Sequence, residues 1–207
     1  VPDGAQVDFS AVMARMRRLR AGISHHDSVI RFSQELGVDV FLGDARFLSS
    51  DTVAVGDARL RFARAVLCSG ARAAEPEIPG LAEAGFLTNE TIFSLTERPA
   101  RLAVIGGGPI GCELAQAFQR LGSRVTLIHD HGHLLDREDP DAAEIVQRSF
   151  LRDGIELALG ARIERVERRG AEKLLLLQMS EARREIVADE ILVGAGRNPH
   201  VEGLDLA

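Results

Sequence analysis

The stretch of sequence that decides the fold reads LAVIGGGPIGCELA from Leu102 to Ala115. Its first four residues are apolar, as in a buried strand, and three consecutive glycines follow them directly. Pro109 then stands where proline favours the start of a helix, and apolar residues recur at helical spacing as far as Leu121. The stretch therefore predicts a strand, a tight glycine loop and a helix in direct succession.

The glycines of this loop have the spacing of a dinucleotide-binding site, and the strand and helix around them supply the context that the motif requires. Gly106 permits a tight turn, Gly108 leaves no side chain between the backbone and a pyrophosphate, and Gly111 lets the helix approach the strand. The phosphates would meet unpaired amides at the positive end of the helix dipole. The alternative is a loop that only turns the chain. The predicted contacts with the nicotinamide cofactor, NAD(P), are Gly106, Gly107, Gly108, Pro109, Ile110 and Gly111.

The chain after the loop keeps alternating between strand and helix patterns, which is typical of a parallel sheet. Asp139 and Pro140 have the residue types of an N-cap and a first helical position. The predicted elements are a strand at Val125–Ile128, a helix at Pro140–Asp153, a strand at Ile155–Leu159, a meander at Arg162–Arg168, Lys173–Met179 and Arg184–Val187, and a closing strand at Ile191–Val193. The predicted fold is α/β: a Rossmann-like domain with a parallel sheet and an antiparallel meander.

The corner after the second predicted strand bears on the choice between NADH and NADPH. Such a corner usually places an acidic residue on the adenosine ribose, and here it reads Ile128-His129-Asp130-His131. Asp130 could accept from both ribose hydroxyls and would repel a 2′-phosphate, which favours NADH. A protonated His129 or His131 would favour NADPH instead, so the choice stays open. His131 and His133 are otherwise interpreted as solvated loop residues.

The first hundred residues predict different elements. Apolar spacing indicates a helix over Asp8–Leu19 and a second helical segment from Val29 to Leu36. Short alternating runs then favour an antiparallel meander, and Pro76 and Pro79 make residues 71–80 a crossing between domains. The predicted strands of this meander are Val38–Phe47, Thr52–Val55 and Ala58–Leu67.

Composition excludes several classes of function. The net charge of -6 argues against a polyanion binder, so no nucleic-acid partner is predicted. No apolar run is long enough to cross a bilayer, and Val1-Pro2-Asp3-Gly4 does not begin a signal peptide. These features favour a soluble, cytoplasmic protein without membrane contacts.

The two cysteines, Cys68 and Cys112, stand far apart and in no paired motif. They indicate neither a disulfide framework nor a zinc site, and no metal site is predicted. Both are expected to be small buried hydrophobic residues. Cys112 stands near a helix N-terminus, where the dipole favours thiolate, but the predicted pyrophosphate would occupy that position.

With these residues in place, the chain resembles the flavoprotein pyridine nucleotide-disulfide oxidoreductases, especially the mercuric reductase-like and dihydrolipoamide dehydrogenase-like members. The resemblance covers nearly the whole chain. The family usually has Ala-Thr-Gly where Cys68, Ser69 and Gly70 stand, which is a conservative departure. The five motifs that carry the resemblance, in order, are Arg64–Arg72, Ile78–Leu81, Val104–Glu113, Arg137–Pro140 and Gly194-Ala195-Gly196-Arg197-Asn198-Pro199.

The resemblance implies a division into domains and further site residues. Residues 1–98 would be part of an FAD-binding domain, 99–196 the NAD(P)-binding domain, and 197–207 the return to the FAD domain. Glu113 would approach the nicotinamide carboxamide near the flavin, although it could also be an exposed helix acid near the dipole. Pro109 or Ile110 stands where many relatives have a bulky aromatic gate. The residues expected at the FAD side are Ser69, Gly70, Gly194, Ala195, Gly196 and Arg197.

The implied activity is hydride transfer from NAD(P)H to FAD and then to a disulfide or a metal ion. The family's opening flavin fingerprint and redox cysteine pair, and its C-terminal dimerisation domain, are not found in this sequence. The chain is therefore expected to be an internal fragment of a homodimeric enzyme and inactive alone, and no catalytic residue is assigned. One rival function is a stand-alone NAD(H)-binding or redox-sensing module without turnover. The other, a self-contained dehydrogenase, lacks a recognisable acid or base.

Overall fold

The computed structural model describes residues 6–24, 26–180 and 182–206, so the expectation about Val1-Pro2-Asp3-Gly4 lies outside the described residues. The α-helices of the described chain are α1 (Phe9–Ile23), α2 (Leu81–Ala84), α3 (Pro109–Arg120) and α4 (Pro140–Arg152). A π-helical turn spans Arg31–Glu35, and a 3-10 turn spans Ile92–Ser94. None of the described helices is both long and apolar enough to cross a membrane.

The strands form four separate sheets in the described chain. Their bounds are β1 (Ala45–Ser49), β2 (Thr52–Val55), β3 (Ala58–Arg61), β4 (Ala71–Ala73), β5 (Arg101–Ile105), β6 (Arg124–His129), β7 (Glu156–Leu159), β8 (Arg162–Arg169), β9 (Glu172–Gln178), β10 (Arg183–Ala188), β11 (Glu190–Val193) and β12 (Arg197–Pro199).

The central sheet is parallel, in the order β11-β5-β6-β7, as the strand and helix alternation predicts. Ile105 at the end of β5 pairs with Ile128 on β6 and with Val193 on β11. β5 is buried from Leu102 to Ile105, which explains its continuous apolar run. Because parallel strands end at the same edge, the loops after β5, β6 and β11 are brought together there.

An antiparallel sheet, in the order β10-β9-β8, packs in the same compact unit. Leu175 and Leu177 on β9 belong to a buried cluster that includes Leu81 and Ala84 of α2. Gly80, just before α2, has φ +78°, and a Cβ there would lie 2.0 Å from the carbonyl oxygen of Val166. The close contact holds the segment before β5 against β8.

The chain divides into two compact units, one formed by Ala73–Gly196 with the first residues up to Ala14, the other by Arg15–Arg72 with the residues from Arg197 onward. In the first unit, Phe9 of α1 packs on Phe118 of α3, with ring centroids 5.9 Å apart. Residues 73–98, expected within the flavin domain, thus pack in the same unit as 99–196. Their assignment to a flavin domain stays a prediction.

The second unit contains the meander β1-β2-β3, in which β2 has its predicted bounds but β1 and β3 are shorter than the sequence predicts. The expected strand Val38–Phe47 begins only at Ala45, and Ala58–Leu67 ends at Arg61. Within the described residues the apolar run before β1 pairs with no strand, and Leu42 is 77% exposed. The second helical segment, expected over Val29–Leu36, is confirmed: residues 29–30 are α-helical and Arg31–Glu35 continue as a π-helical turn. A strand, in contrast, needs a partner strand as well as apolar spacing.

Candidate functional site

The glycine loop lies between β5 and α3, as the sequence predicts. Gly106 has φ +108°, a left-handed conformation that suits glycine, and its amide donates to the carbonyl of Ile128 at 2.9 Å. The amide of Gly194 donates to the carbonyl of Ile105 at 2.8 Å. The loop is therefore held by backbone hydrogen bonds to the ends of two neighbouring strands.

The backbones of three glycines, Gly106, Gly111 and Gly194, pack closely against one another. A Cβ on Gly111 would lie 2.0 Å from the carbonyl oxygen of Gly106, and one on Gly106 would lie 2.9 Å from the carbonyl carbon of Gly194. A Cβ on Gly194 would lie 3.1 Å from the Cα of Gly111. Gly194, expected at the flavin side from its motif, thus also packs against the glycine loop. The contact explains why α3 begins so close to the sheet.

Gly108 differs from these three glycines. Its φ of -75° suits any residue, and a Cβ there would meet nothing within 4 Å. Packing in the described chain therefore gives no reason for glycine at this position, and the space beside it is open. Gly107, in contrast, is packed: a Cβ there would lie 2.7 Å from Cδ2 of His129.

The open space lies at the N-terminus of α3. Gly108 is the N-cap and supplies no side-chain cap, and Pro109 occupies the first helical position. The first amides of a helix have no intrahelical acceptor, and the helix dipole adds positive potential. Pro109 is exposed and Ile110 is half-buried beside it. The geometry suits a phosphate group that accepts from the first-turn amides.

His129 and Asp130 follow at the end of β6, in different environments. His129 is 8% exposed, and its Nε2 lies 3.2 Å from Oδ1 of Asp136. The side chain of Asp130 is 73% exposed, and its Oδ1 lies 3.2 Å from Nδ1 of His129 and 3.0 Å from Nδ1 of His131. Partial burial raises the pKa of Asp130, but the hydrogen bonds from His131 and from its own backbone outweigh it, so the net pKa lies below the usual value. Asp130 is therefore an exposed, ionised acceptor.

The sequence suggests that His131 is a solvated loop residue, but in the structure its ring also contacts other side chains. Its ring centroid lies 5.1 Å from that of His129, and its Nε2 lies 4.0 Å from Oδ2 of Asp136. His133 instead contacts the carbonyl of Leu134 through Nδ1, at 2.8 Å. The signal that could have indicated the cluster is two histidines at alternate positions just after a strand, followed by an aspartate.

The two cysteines have opposite environments. Cys112 is buried, as expected, and its Sγ lies 3.3 Å from the carbonyl oxygen of Gly107. Burial and then the charge of Glu113 raise the pKa of Cys112 to about 11, so the expected preference of the helix terminus for thiolate is outweighed. Cys68 is exposed, which corrects the expectation that it is buried. Its segment, residues 62–70, belongs to no strand that would cover it.

Thiol labelling is expected to distinguish the two cysteines. At pH 7.5 the native chain should react with a thiol reagent at Cys68 alone, because Cys112 is buried and its pKa is raised to about 11. Both should react in denaturant. Mass spectrometry of the labelled peptides measures this, with Cys68→Ser as the control. Rapid labelling of native Cys112 would contradict the buried, protonated state.

Glu113 lies on the exposed side of α3, just beyond the first turn. No side-chain hydrogen bond of Glu113 is found within the described chain, and its effect on Cys112 is electrostatic. The structure thus leaves its carboxylate accessible near the loop. Its role toward a nicotinamide stays a prediction.

The residues expected at the flavin side fall in two places. Gly194 and the half-buried Ala195 lie in the first unit, and Gly196 there has φ +77°. In the second unit, the carbonyl of Gly70 accepts from His200 at 3.0 Å. Nη2 of Arg197 donates to the carbonyl of Ala71 at 3.4 Å. Ser69 is exposed.

β4 and β12 form a two-stranded sheet, although residues 71–80 were expected to be a crossing between domains. The two strands are far apart in sequence, so a local sequence pattern does not reveal that they pair.

The parallel sheet, the glycine loop and the open helix terminus define an α/β domain of the dinucleotide-binding type. Residues 7–207 match the family described as pyridine nucleotide-disulphide oxidoreductase. The chain belongs to this family of redox proteins. The expected family resemblance and α/β fold are confirmed.

Individual relatives and a solved structure support the same family assignment. The mercuric reductase of Lysinibacillus sphaericus is 34% identical over 98% of this chain and 37% of its own length. The dihydrolipoyl dehydrogenase of Bacillus subtilis is 31% identical over 100% of this chain and 45% of its own length. The structure of the HOCl-induced flavoprotein disulfide reductase RclA from Escherichia coli has a TM-score of 0.81 at 25% identity, covering 97% of this chain and 45% of that one. The chain thus spans less than half the length of these proteins.

Proposed function

We propose that this chain binds a nicotinamide dinucleotide at the loop Gly106–Gly111 and serves hydride transfer from NAD(P)H to FAD in an oxidoreductase. The observation that carries the proposal is the open space at Gly108, at the N-terminus of α3, where packing gives no reason for a glycine. A pyrophosphate needs this space, because its oxygens must approach the backbone amides closely.

The residues around the loop suit the rest of the cofactor. Asp130 is exposed at the end of β6 and would accept hydrogen bonds from the adenosine ribose hydroxyls. The buried His129 instead packs against Gly107. Glu113 would orient the nicotinamide carboxamide from α3. When bound, the nicotinamide supplies a hydride, and the protein contributes its position and its electrostatic surroundings.

The flavin side of the proposal rests on family membership. Ser69, Gly70 and Arg197, with residues 197–207, would contribute to FAD binding, and the flavin would pass electrons to a disulfide or a metal ion. The similarity to a mercuric reductase and to a dihydrolipoyl dehydrogenase supports such acceptors. We also infer a cytoplasmic protein that acts as a homodimer. The alternative, an NAD(H) sensor without turnover, predicts dinucleotide binding with no response to FAD.

The direct test is a titration of the chain with NADH and NADPH, followed by calorimetry and by nicotinamide fluorescence. Saturable binding at one site is expected for at least one cofactor. The absence of saturation with both would contradict the proposal and leave the loop as a structural turn.

Replacing Asp130 by arginine is expected to shift cofactor preference toward NADPH. The change removes a carboxylate that repels the 2′-phosphate and adds a planar, bidentate donor. Charge-assisted contacts of about 1.5 to 3 kcal/mol correspond to a roughly tenfold to hundredfold change in the ratio of the two dissociation constants.

The matched control is Glu138→Arg, the same charge reversal at an exposed acid in the loop between β6 and α4. An equal shift in both variants would show a general charge effect. An unchanged ratio in Asp130→Arg would remove Asp130 from the ribose site.

A further inference from the structure

A cluster of metal-ligating side chains lies at the carboxyl end of β6, on residues that the proposed cofactor site does not use for phosphate binding. His129, His131 and Asp136 each offer one ligand atom, and these atoms all lie within 4.8 Å of one another. We propose that His129, His131 and Asp136 bind one divalent transition-metal ion of the zinc class. The proposal rests on this cluster and does not depend on dinucleotide binding.

One distance between ligand atoms is close to that of a tetrahedral site, and a second is longer. Nε2 of His129 lies 3.2 Å from Oδ1 of Asp136, and Nε2 of His131 lies 4.0 Å from Oδ2 of the same carboxylate. Metal–ligand bonds of about 2.0 to 2.2 Å at tetrahedral angles separate neighbouring ligands by roughly 3.3 to 3.6 Å. The 4.0 Å distance exceeds this range, so the exposed His131 ring would have to move toward Asp136 when a metal binds.

Asp130 supplies the orienting carboxylate that metal-binding histidines usually have. Its Oδ1 contacts Nδ1 of His129 at 3.2 Å and Nδ1 of His131 at 3.0 Å. When Nδ1–H of His131 donates to Asp130, the Nε2 lone pair of His131 is left for a metal. Nε2 of His129 already contacts Asp136, and a metal ion at this position would replace the proton of that hydrogen bond.

The cluster is held on one side and accessible on the other. His129 is packed beneath Gly107, and Leu135, next to Asp136, donates its amide to the carbonyl of Gly107 at 2.9 Å. His131 is 58% exposed, which leaves room for water as a fourth ligand. Two imidazoles and one carboxylate favour Zn²⁺, Ni²⁺ or Cu²⁺ over Mg²⁺ or Ca²⁺, which prefer oxygen ligands.

The test uses the 207-residue chain with Cys68→Ser, which removes an exposed thiol as a competing ligand. Zn²⁺ is titrated by calorimetry, and Co²⁺ is followed by its visible absorption. One ion per chain and the intense bands of tetrahedral Co²⁺ are expected. Asp130→Asn should weaken Zn²⁺ binding about 10- to 100-fold, and loss of a direct ligand in His131→Ala or Asp136→Asn should weaken it further.

The matched control is His133→Ala, which removes an exposed histidine of the same loop that lies outside the cluster. Its Zn²⁺ affinity should equal that of the unsubstituted chain. Circular dichroism of the metal-free variants confirms that they are folded, and His131 is exposed enough to be replaced. Equal affinities in His131→Ala and His133→Ala, or a Co²⁺ spectrum without tetrahedral bands, would overturn the proposal. The contact between His129 and Asp136 would then be an ordinary hydrogen bond from Nε2–H of the ring.

Discussion

Gly108→Val is expected to abolish binding of both NADH and NADPH while the free energy of unfolding changes little. The side chain would occupy the space into which the first-turn amides of α3 point, so a pyrophosphate could not reach them. The fold should tolerate the change, because a Cβ at Gly108 meets nothing within 4 Å and the φ of -75° suits valine. Loss of several charge-assisted hydrogen bonds, about 1.5 to 3 kcal/mol each, corresponds to more than a hundredfold weaker binding.

Calorimetric titration with each cofactor measures the loss, and urea denaturation measures the stability. Gly22→Val in α1 is the matched control, because a Cβ at Gly22 also meets nothing within 4 Å. The control should bind the cofactor as the unchanged chain does. Unchanged affinity in Gly108→Val would show that the loop only turns the chain, and this outcome is independent of metal binding at His131 and Asp136.

Gly111→Ala is expected to have the largest effect on stability. The added Cβ would lie 2.0 Å from the carbonyl oxygen of Gly106 and 3.1 Å from its carbon. These atoms belong to the backbone, and Gly106 is fixed by the hydrogen bond from its amide to Ile128. The overlap can be relieved only if α3 moves away from the sheet, which disturbs the packing of Ala115 and Phe118. We expect a loss of about 3 kcal/mol or more in the free energy of unfolding.

Gly108→Ala is the control for this prediction, because it adds the same methyl group three residues earlier in open space. It should be neutral or slightly stabilising, since alanine restricts the unfolded chain. Urea denaturation of both variants gives the comparison. Equal stability of Gly111→Ala and Gly108→Ala would mean that the contact between helix and strand is looser than the structure indicates.

The sequence alone determined the elements that carry their own local signals. β5, the glycine loop, α3, β6 and α4 lie within one residue of their predicted bounds, because buried apolar runs, glycines and Pro109 or Pro140 act over a few neighbouring residues. The second unit was less predictable. Val38–Phe47 has a strand-like pattern, but most of it finds no partner, and strand formation depends on pairing as much as on residue type.

Only the tertiary structure decided how distant residues meet at the site. Gly194 contacts Gly111 because β11 pairs beside β5, and no local pattern contains that pairing. His131 and Asp136 meet His129 because the loop after β6 folds back beneath Gly107. The tertiary structure also determines that Cys112 stays protonated, since the effect of burial on its pKa outweighs that of the helix dipole. A sequence pattern specifies what each residue can do, whereas solvent exclusion and the approach of separate strands determine which of these groups act together.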